Sequence, residues 1–505
     1  MKKFFLLALL LIPALARAHI GSPDVFFDGN IGALPAHVVI RMPSVVPGRA
    51  EIFVQVQDAE PVSVSFVPIS ARTAASNAPP AELGEPVRGE TNLYTGGLWL
   101  MTTGAYGIEV HVRGNSGEGV VQIPVNSVAI EQLPLPRALG GVLIALGLIL
   151  FFGAMAVIGA AAGESTLPIG AQPTSAHRRK YWIAASVTGL VLALALFGGK
   201  KWWDLEENNF RERLRSGGWP DLAAETTTTN SQRILHLTLG EKDFGQNNHL
   251  KLARDHGKLL HLFLVRQSDR AAFAHIHPVR EHDRVFAVAL PPLPEGDYEM
   301  FCDLTLESGL SSTATNTVHL PPIPDTTAEK LKLEMDADDS WSTNAIAARE
   351  NSGGDTVCRL PDGAQVIWKN HPALRAKQNA GLQFEVRDAS GQPAKLEPYM
   401  GMMSHAAVMR ADGRVFSHLH PSGNFSMAAQ MFFDNKLAKE TGGIVKTNDP
   451  ICAMPNMNGS MTDAAAAAAT ISLPYEFPTT GEYRIWVQIK TGGEVKTAVF
   501  DATLN

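Results

Sequence analysis

The stretch Ala138–Ala162 carries no charged residue, and neither does Tyr181–Gly199. A helix needs about 20 predominantly apolar residues to cross a bilayer, so both stretches qualify, the second narrowly. Arg178, Arg179 and Lys180 sit in the short segment between them, and positive charge in a short loop marks the cytoplasmic side. The pair constrains the chain more than any other feature. It ties two stretches to lipid and places the N-terminal and C-terminal parts of the chain on the same side. Two buried helices of a soluble protein are the competing reading, and the loop charge speaks against it.

The first residues, MKKFFLLALLLIPALARA, have a basic start, an apolar run and Ala16-Arg17-Ala18, the pattern of a secretory signal. Cleavage after Ala18 leaves His19 first. The expected order is a signal peptide at 1–18, an extracytoplasmic domain at 19–135, a transmembrane helix at 138–162, a cytoplasmic loop at 163–180 and a second transmembrane helix at 181–199. Everything from 200 onward is then outside. In a bacterium this is an inner (cytoplasmic) membrane protein with both terminal parts outside the cytoplasm. Trp202 and Trp203 suit an interfacial anchor, whereas Lys200 and Lys201 depart slightly from the charge rule.

The outer parts read as β-structure. Ala50–Val56 and Gly107–Val112 alternate apolar and polar residues with period two, broken at short intervals by turn residues. The expected fold class is all-β: three Ig-like antiparallel β-sandwich domains, with the two transmembrane helices between the first and second. The second domain is expected at 231–322 and the third at 356–505, with polar linkers at 200–230 and 323–355. The last two domains form an internal repeat. One copy has LLHLFLVRQSDRAAFAHIHP and later LPPLPEGDYEMFCDLTL; the other has MSHAAVMRADGRVFSHLHP and later LPYEFPTTGEYRIWVQI. The second copy carries an insertion between Pro421 and Gly481 that reads as a long, mobile excursion. It holds Met427, Met431, Cys452, Met454, Met457 and Met461.

The repeat places histidines in a pattern. Asp412-Gly413 is a two-residue hairpin signal. Such a turn pairs His405 with His420 and Ala407 with His418, which makes His418 the diagonal neighbour of His405. In the first copy a three-residue loop, Ser268–Arg270, pairs His261 with His277 and puts His275 on the diagonal. Each hairpin would gather three imidazoles on one face, and a one-residue slip would disperse them. Neutral imidazole suits copper and zinc alike, and three protein ligands also match an open zinc site. Five residues before each hairpin histidine stands another candidate: His256 in the first copy, Met400 in the second, with Met402 nearby. Thioethers favour Cu(I). Cys452, Met454 and Met457 are weaker candidates. So is His19, whose amine and ring could brace one copper ion with His37 or His111, or could be an accident of cleavage. Paired histidines can also simply hydrogen-bond within a sandwich core.

These stretches resemble bacterial envelope proteins with YtkA-like, Ig-like domains. The resemblance is carried by His256–Val265, Phe273–Pro278, Tyr399–Met402, His405 and Phe416–Pro421, and by His19–Gly29 at the start. It implies a sandwich fold, an envelope location and a link to copper or heavy-metal handling. It implies no reaction.

The net charge of −7 argues against a nucleic-acid partner, which selects for basic patches. Three cysteines do not make a disulfide scaffold. No Ser-His-Asp pattern, H-E-x-x-H or phosphate loop is present, so a non-enzyme is expected. The expected function is a membrane-anchored extracytoplasmic metal-binding protein with copper, less readily zinc, as its cofactor. It would store, deliver or sense the metal, with an envelope protein as a possible transfer partner. The alternative is a non-catalytic structural or interaction module with core histidines.

Overall fold

The computed structural model describes residues 24–57, 61–115, 117–168, 170–216, 221–229, 232–240, 251–322, 335–344, 348–350, 354–369, 373–443, 445 and 469–504. It is mostly β, with six antiparallel sheets and three α-helices. The chain divides into two compact units, a helical one at 131–215 and a β-rich one made of 1–130 and 216–505.

The helical unit holds Arg137–Glu164 and Ser175–Ser216, both long and apolar enough to cross a membrane. Gly159 and Gly163 are buried against Tyr181; a Cβ on Gly159 would stand 2.9 Å from its ring. The absent side chains let the two helices close up there. The second helix runs well past Gly199, so the first half of the expected linker at 200–230 is helical. Its latter part is the strand Leu222–Thr229, the first of the second sheet pair.

The β-rich unit contains three pairs of sheets, each enclosing its own core. Alternation does this locally. In Gly48–Val56 the side chains of Ala50, Ile52, Val54 and Val56 are buried and those between point outward. All three pairs share one corner. Gly104, Gly296 and Gly481 adopt φ of 135°, 141° and 135°, a region open to glycine. Two residues later comes a buried tyrosine, Tyr106, Tyr298 or Tyr483. Tyr298 donates to the Pro294 carbonyl and Tyr483 to the Thr479 carbonyl, both at 2.8 Å. The Tyr106 hydroxyl lies 2.7 Å from Thr102 Oγ1. Each corner opens an 11-residue strand, Gly104–Gly114, Gly296–Leu306 or Gly481–Thr491. The repeat therefore extends to the first pair, beyond the two copies expected from the histidine-bearing stretches.

The expected linker at 323–355 is also structured where it is described. Ser340–Ser342 pairs with Phe273–Ile276, and Arg349–Glu350 pairs with Thr356–Arg359. The insertion contains the helix Met427–Thr441, which is not a loose excursion. Ser426 Oγ caps it by accepting from the Ala429 amide, and Gly442 closes it with a left-handed φ of 75°. Its Phe433 ring packs at Gly107 of the first sheet pair.

The second and third sheet pairs pack face to face. Leu260, Leu262 and Leu264 point into the second core, while Phe263 and Val265, on the opposite face, meet Ala407, Met409 and Trp486. Phe273 stacks on Trp486 with ring centroids 4.8 Å apart, and Phe301 on Phe416 at 4.1 Å. The histidines lie on this shared face.

Candidate metal centre

Both hairpins have the expected register. Leu262 pairs with Ile276 and Phe263 with His275; Ala406 pairs with Leu419 and Ala407 with His418. The Asp412-Gly413 turn is wider than two residues. The Arg410 amide donates to the Val415 carbonyl and the Gly413 amide to the Arg410 carbonyl, yet the pairing beyond it is unchanged. The candidates ahead of the strands sit in matching turns. His256-Gly257 have φ of 51° and 81°, and Met400-Gly401 have 50° and 77°. Positive φ at both central residues makes a type I′-like turn. This holds His256 over the hairpin, with the Met400 backbone beside its ring.

Because the two sheets face each other, the histidines form one continuous cluster rather than two separate triangles. His261, His275 and His277 each offer a nitrogen within 4.8 Å of the others, and so do His256, His405 and His420. The second group joins a residue of the second sheet pair to two of the third, and His256 takes the place expected for His418. His418 lies between the groups, with ring centroids 4.5–5.5 Å from His420, His275, His261 and His405.

Hydrogen bonds orient several rings. His261 Nε2 lies 3.1 Å from the Asp255 carbonyl oxygen and must donate to it. His277 Nδ1 lies 2.8 Å from Asp339 Oδ1. His275 Nδ1 lies 2.9 Å from Gln488 Oε1, whose amide nitrogen donates to Ser340 Oγ. These contacts leave lone pairs on His261 Nδ1, His275 Nε2 and His277 Nε2. The first two stand 3.2 Å apart with no proton assigned between them. Nitrogens sharing a tetrahedral ion at bond lengths of about 2.0–2.1 Å lie about 3.4 Å apart. That edge of a coordination sphere is preformed.

Among the described residues, His256 Nε2, His277 Nε2, His418 Nε2 and both nitrogens of His405 and His420 are buried without a hydrogen-bond partner. The Phe425 backbone approaches the His420 ring without reaching hydrogen-bond geometry. Asp255 Oδ1 stays 3.7 Å from His256 Nε2. A buried polar group left unpaired costs about 1–3 kcal/mol. Protonation does not relieve the strain. Burial, followed by the neighbouring imidazoles, pushes His261, His275, His405 and His420 well below the ordinary imidazole pKa, and burial lowers His256 as well. These five rings favour the neutral form, and the cluster is buried and rich in lone pairs, which fits a metal cation.

The other candidates fall elsewhere. Met402 packs in the first core with Phe425 and Met427, so its thioether is committed there. Met400 is buried and meets His256 through its backbone. His37 and His111 lie on different sheets of the first pair, each near a carboxylate, Asp28 at 4.0 Å and Glu109 at 3.1 Å. Cys302 and Cys358 are core residues, and burial raises both thiol pKa values. His19, Cys452, Met454 and Met457 lie outside the described residues. Sequence reasoning missed Asp339, Gln488 and Asp303, which touch the rings across large separations. Only the acidic run Asp336–Asp339 in an otherwise polar stretch hinted at one of them.

Residues 356–505 match a domain of unknown function, DUF8832. No curated protein matches the chain. Among solved structures it is similar to dimeric latent PorU from Porphyromonas gingivalis, at 7% identity, TM-score 0.15, over 96% of this chain and 34% of that one. It is also similar to a Salmonella alpha-2-macroglobulin at 9% identity, TM-score 0.19, over 96% and 24%. A putative membrane anchored protein from Corynebacterium diphtheriae matches at 9% identity, TM-score 0.13, over 95% and 96%. The chain thus spans about a third of the PorU chain, and scores this low carry no argument. Nothing among the described residues suggests catalysis.

Proposed function

We propose that the protein is a membrane-anchored, extracytoplasmic metal-binding protein of the bacterial envelope, whose histidine cluster stores, delivers or senses copper. One observation carries the reading: five imidazoles at a single interface present buried nitrogens that no described protein group satisfies. Two further features support it. Asp339 behind His277 and Asp303 behind His418 resemble the carboxylate partners that orient metal-binding imidazoles. The two trios also offer the right number of ligands for an open site. An all-imidazole set suits copper or zinc, and divalent copper stands above zinc in the general affinity order. The two apolar helices support anchoring, and the basic residues Arg178, Arg179 and Lys180 at the start of the second helix support an inner-membrane topology with the β-rich unit outside. The shared tyrosine corner favours an Ig-like assignment of the three sheet pairs and a YtkA-like kinship.

A second reading has one observation behind it. If the Gln488 amide were turned over, His275 Nε2 would carry a proton and donate to His261 Nδ1. Those two rings would then be a structural tie between sheet pairs. That arrangement leaves His277, His405, His418 and His420 unsatisfied. Equilibrium dialysis of the full-length protein against Cu(II) and Zn(II), followed by elemental analysis, separates the readings. Metal binding predicts at least one tightly held ion per chain, lost in His275→Gln/His277→Gln. A chain that retains no metal would refute it.

A further inference from the structure

We infer that the cleft between the three sheet pairs is the port through which a transition-metal cation reaches the cluster, and that His418 with Asp303 is its first contact point. The inference rests on the metal-binding reading above. The cleft has a volume of about 270 Å³ and is walled by all three pairs, for example by Met42 and Pro124, Asp255 and Thr313, and Asn424. Its lining includes Asp255 and Asp303 and contains no lysine or arginine, so its field favours cations. Three cluster histidines, His261, His418 and His420, reach it.

These three are unequal. The His261 and His420 residues are 2% and 3% exposed, whereas the His418 side chain is 10% exposed. Its Nδ1 lies 3.3 Å from Asp303 Oδ2, and Thr313 Oγ1 holds the other carboxylate oxygen at 2.5 Å. This holds the ring with Nε2 buried and unpartnered. A cation drawn to the carboxylate meets the His418 ring, the most exposed of the three, first. From there His420 leads to one trio and His261 and His275 lead to the other, each within a ring-to-ring step of at most 5.4 Å. Asp303 is a positioning residue and a source of field, and His418 hands the ion on.

The test is the rate of copper uptake by the full-length protein in detergent, mixed with Cu(II) and followed by the loss of a colorimetric copper indicator's signal. Two variants are compared with the wild type. Asp303→Asn removes the carboxylate charge. Ser311→Arg places a positive charge in the cleft wall, at a residue that pairs with Thr305 on the face of Asp303 and whose hydroxyl meets Thr305 Oγ1. Both are expected to load about tenfold more slowly, the scale of electrostatic steering, and Ser311→Arg is expected to reach the wild-type copper content. Wild-type rates in both variants would overturn the port and leave metal binding standing. A lower final content of Ser311→Arg at an unchanged rate would make the cleft part of the resting site rather than the way to it, and would likewise overturn it. A wild-type protein that takes up no copper would overturn the metal reading itself, and the port with it.

Discussion

At the scale of single residues, the seven histidines differ in what their rings already hold. His405 is fully buried with neither nitrogen paired, so His405→Leu removes an unsatisfied group and replaces it with an apolar one. The metal-free variant is expected to unfold at or slightly above the wild-type midpoint, and to lose part of the stabilisation that added metal gives the wild type. His277→Leu differs, because it takes the ring away from the buried Asp339 carboxylate and leaves it, among the described residues, only the His277 and Asp336 amides. It is expected to cost about 2 kcal/mol in metal-free denaturant unfolding. Equal costs for the two would mean that their surroundings are alike, against the geometry. The hairpin histidines and their pairing were legible in sequence because turn length and the two-residue strand period fix which residues oppose each other. Asp339 and Gln488 were not legible. They lie 62 and 213 residues from the rings they touch, and nothing local announces such a contact.

At the scale of elements, the helix Met427–Thr441 and the tyrosine corners bear the checks. Ser426→Ala removes the N-cap and is expected to cost about 1 kcal/mol. Thr305, which donates to Ser426 Oγ, would lose its acceptor too. Tyr483→Phe removes the bond to the Thr479 carbonyl and should also cost about 1 kcal/mol, leaving copper content unchanged. Thermal unfolding with parallel metal analysis checks both. The helix was hidden in sequence by its setting within alanine- and methionine-rich residues, whose composition fits a loose loop as readily as a packed helix. The strand Ser340–Ser342 was hidden because three polar residues cannot show a period. The packing of the two histidine-bearing sheets does leave a local trace. Leu260–Val265 is apolar on both faces apart from His261, as befits a strand covered on both sides. That pattern, repeated at Ala406–Met409, points to two sheets packed face to face.

At the scale of the whole molecule, the packed sheet pairs bury imidazoles whose charged form burial disfavours. Burial, then neighbouring rings, holds His261, His275, His405 and His420 well below their unfolded pKa of 6.5, and burial lowers His256. Below pH 6.5 the unfolded chain therefore binds more protons than the folded one, and stability falls as the pH falls. The contribution is complete above about pH 6.5 and declines below it, by up to about 1.4 kcal/mol per pH unit for each such ring. Metal-free protein should lose stability steeply between pH 7 and pH 5 in denaturant unfolding; a flat profile would contradict the burial of these rings. Metal on the folded protein competes with protons only where the folded rings themselves titrate, so its affinity should hold below pH 6.5 and weaken at lower pH.

The central claim is that these imidazoles bind a metal through particular nitrogens. It is tested most directly by histidine-selective nitrogen-15 spectra of the protein before and after loading with Zn(II), a diamagnetic probe. The orienting hydrogen bonds predict coordination through Nδ1 for His261 and through Nε2 for His275 and His277. Spectra in which no imidazole nitrogen shifts on loading would contradict the account.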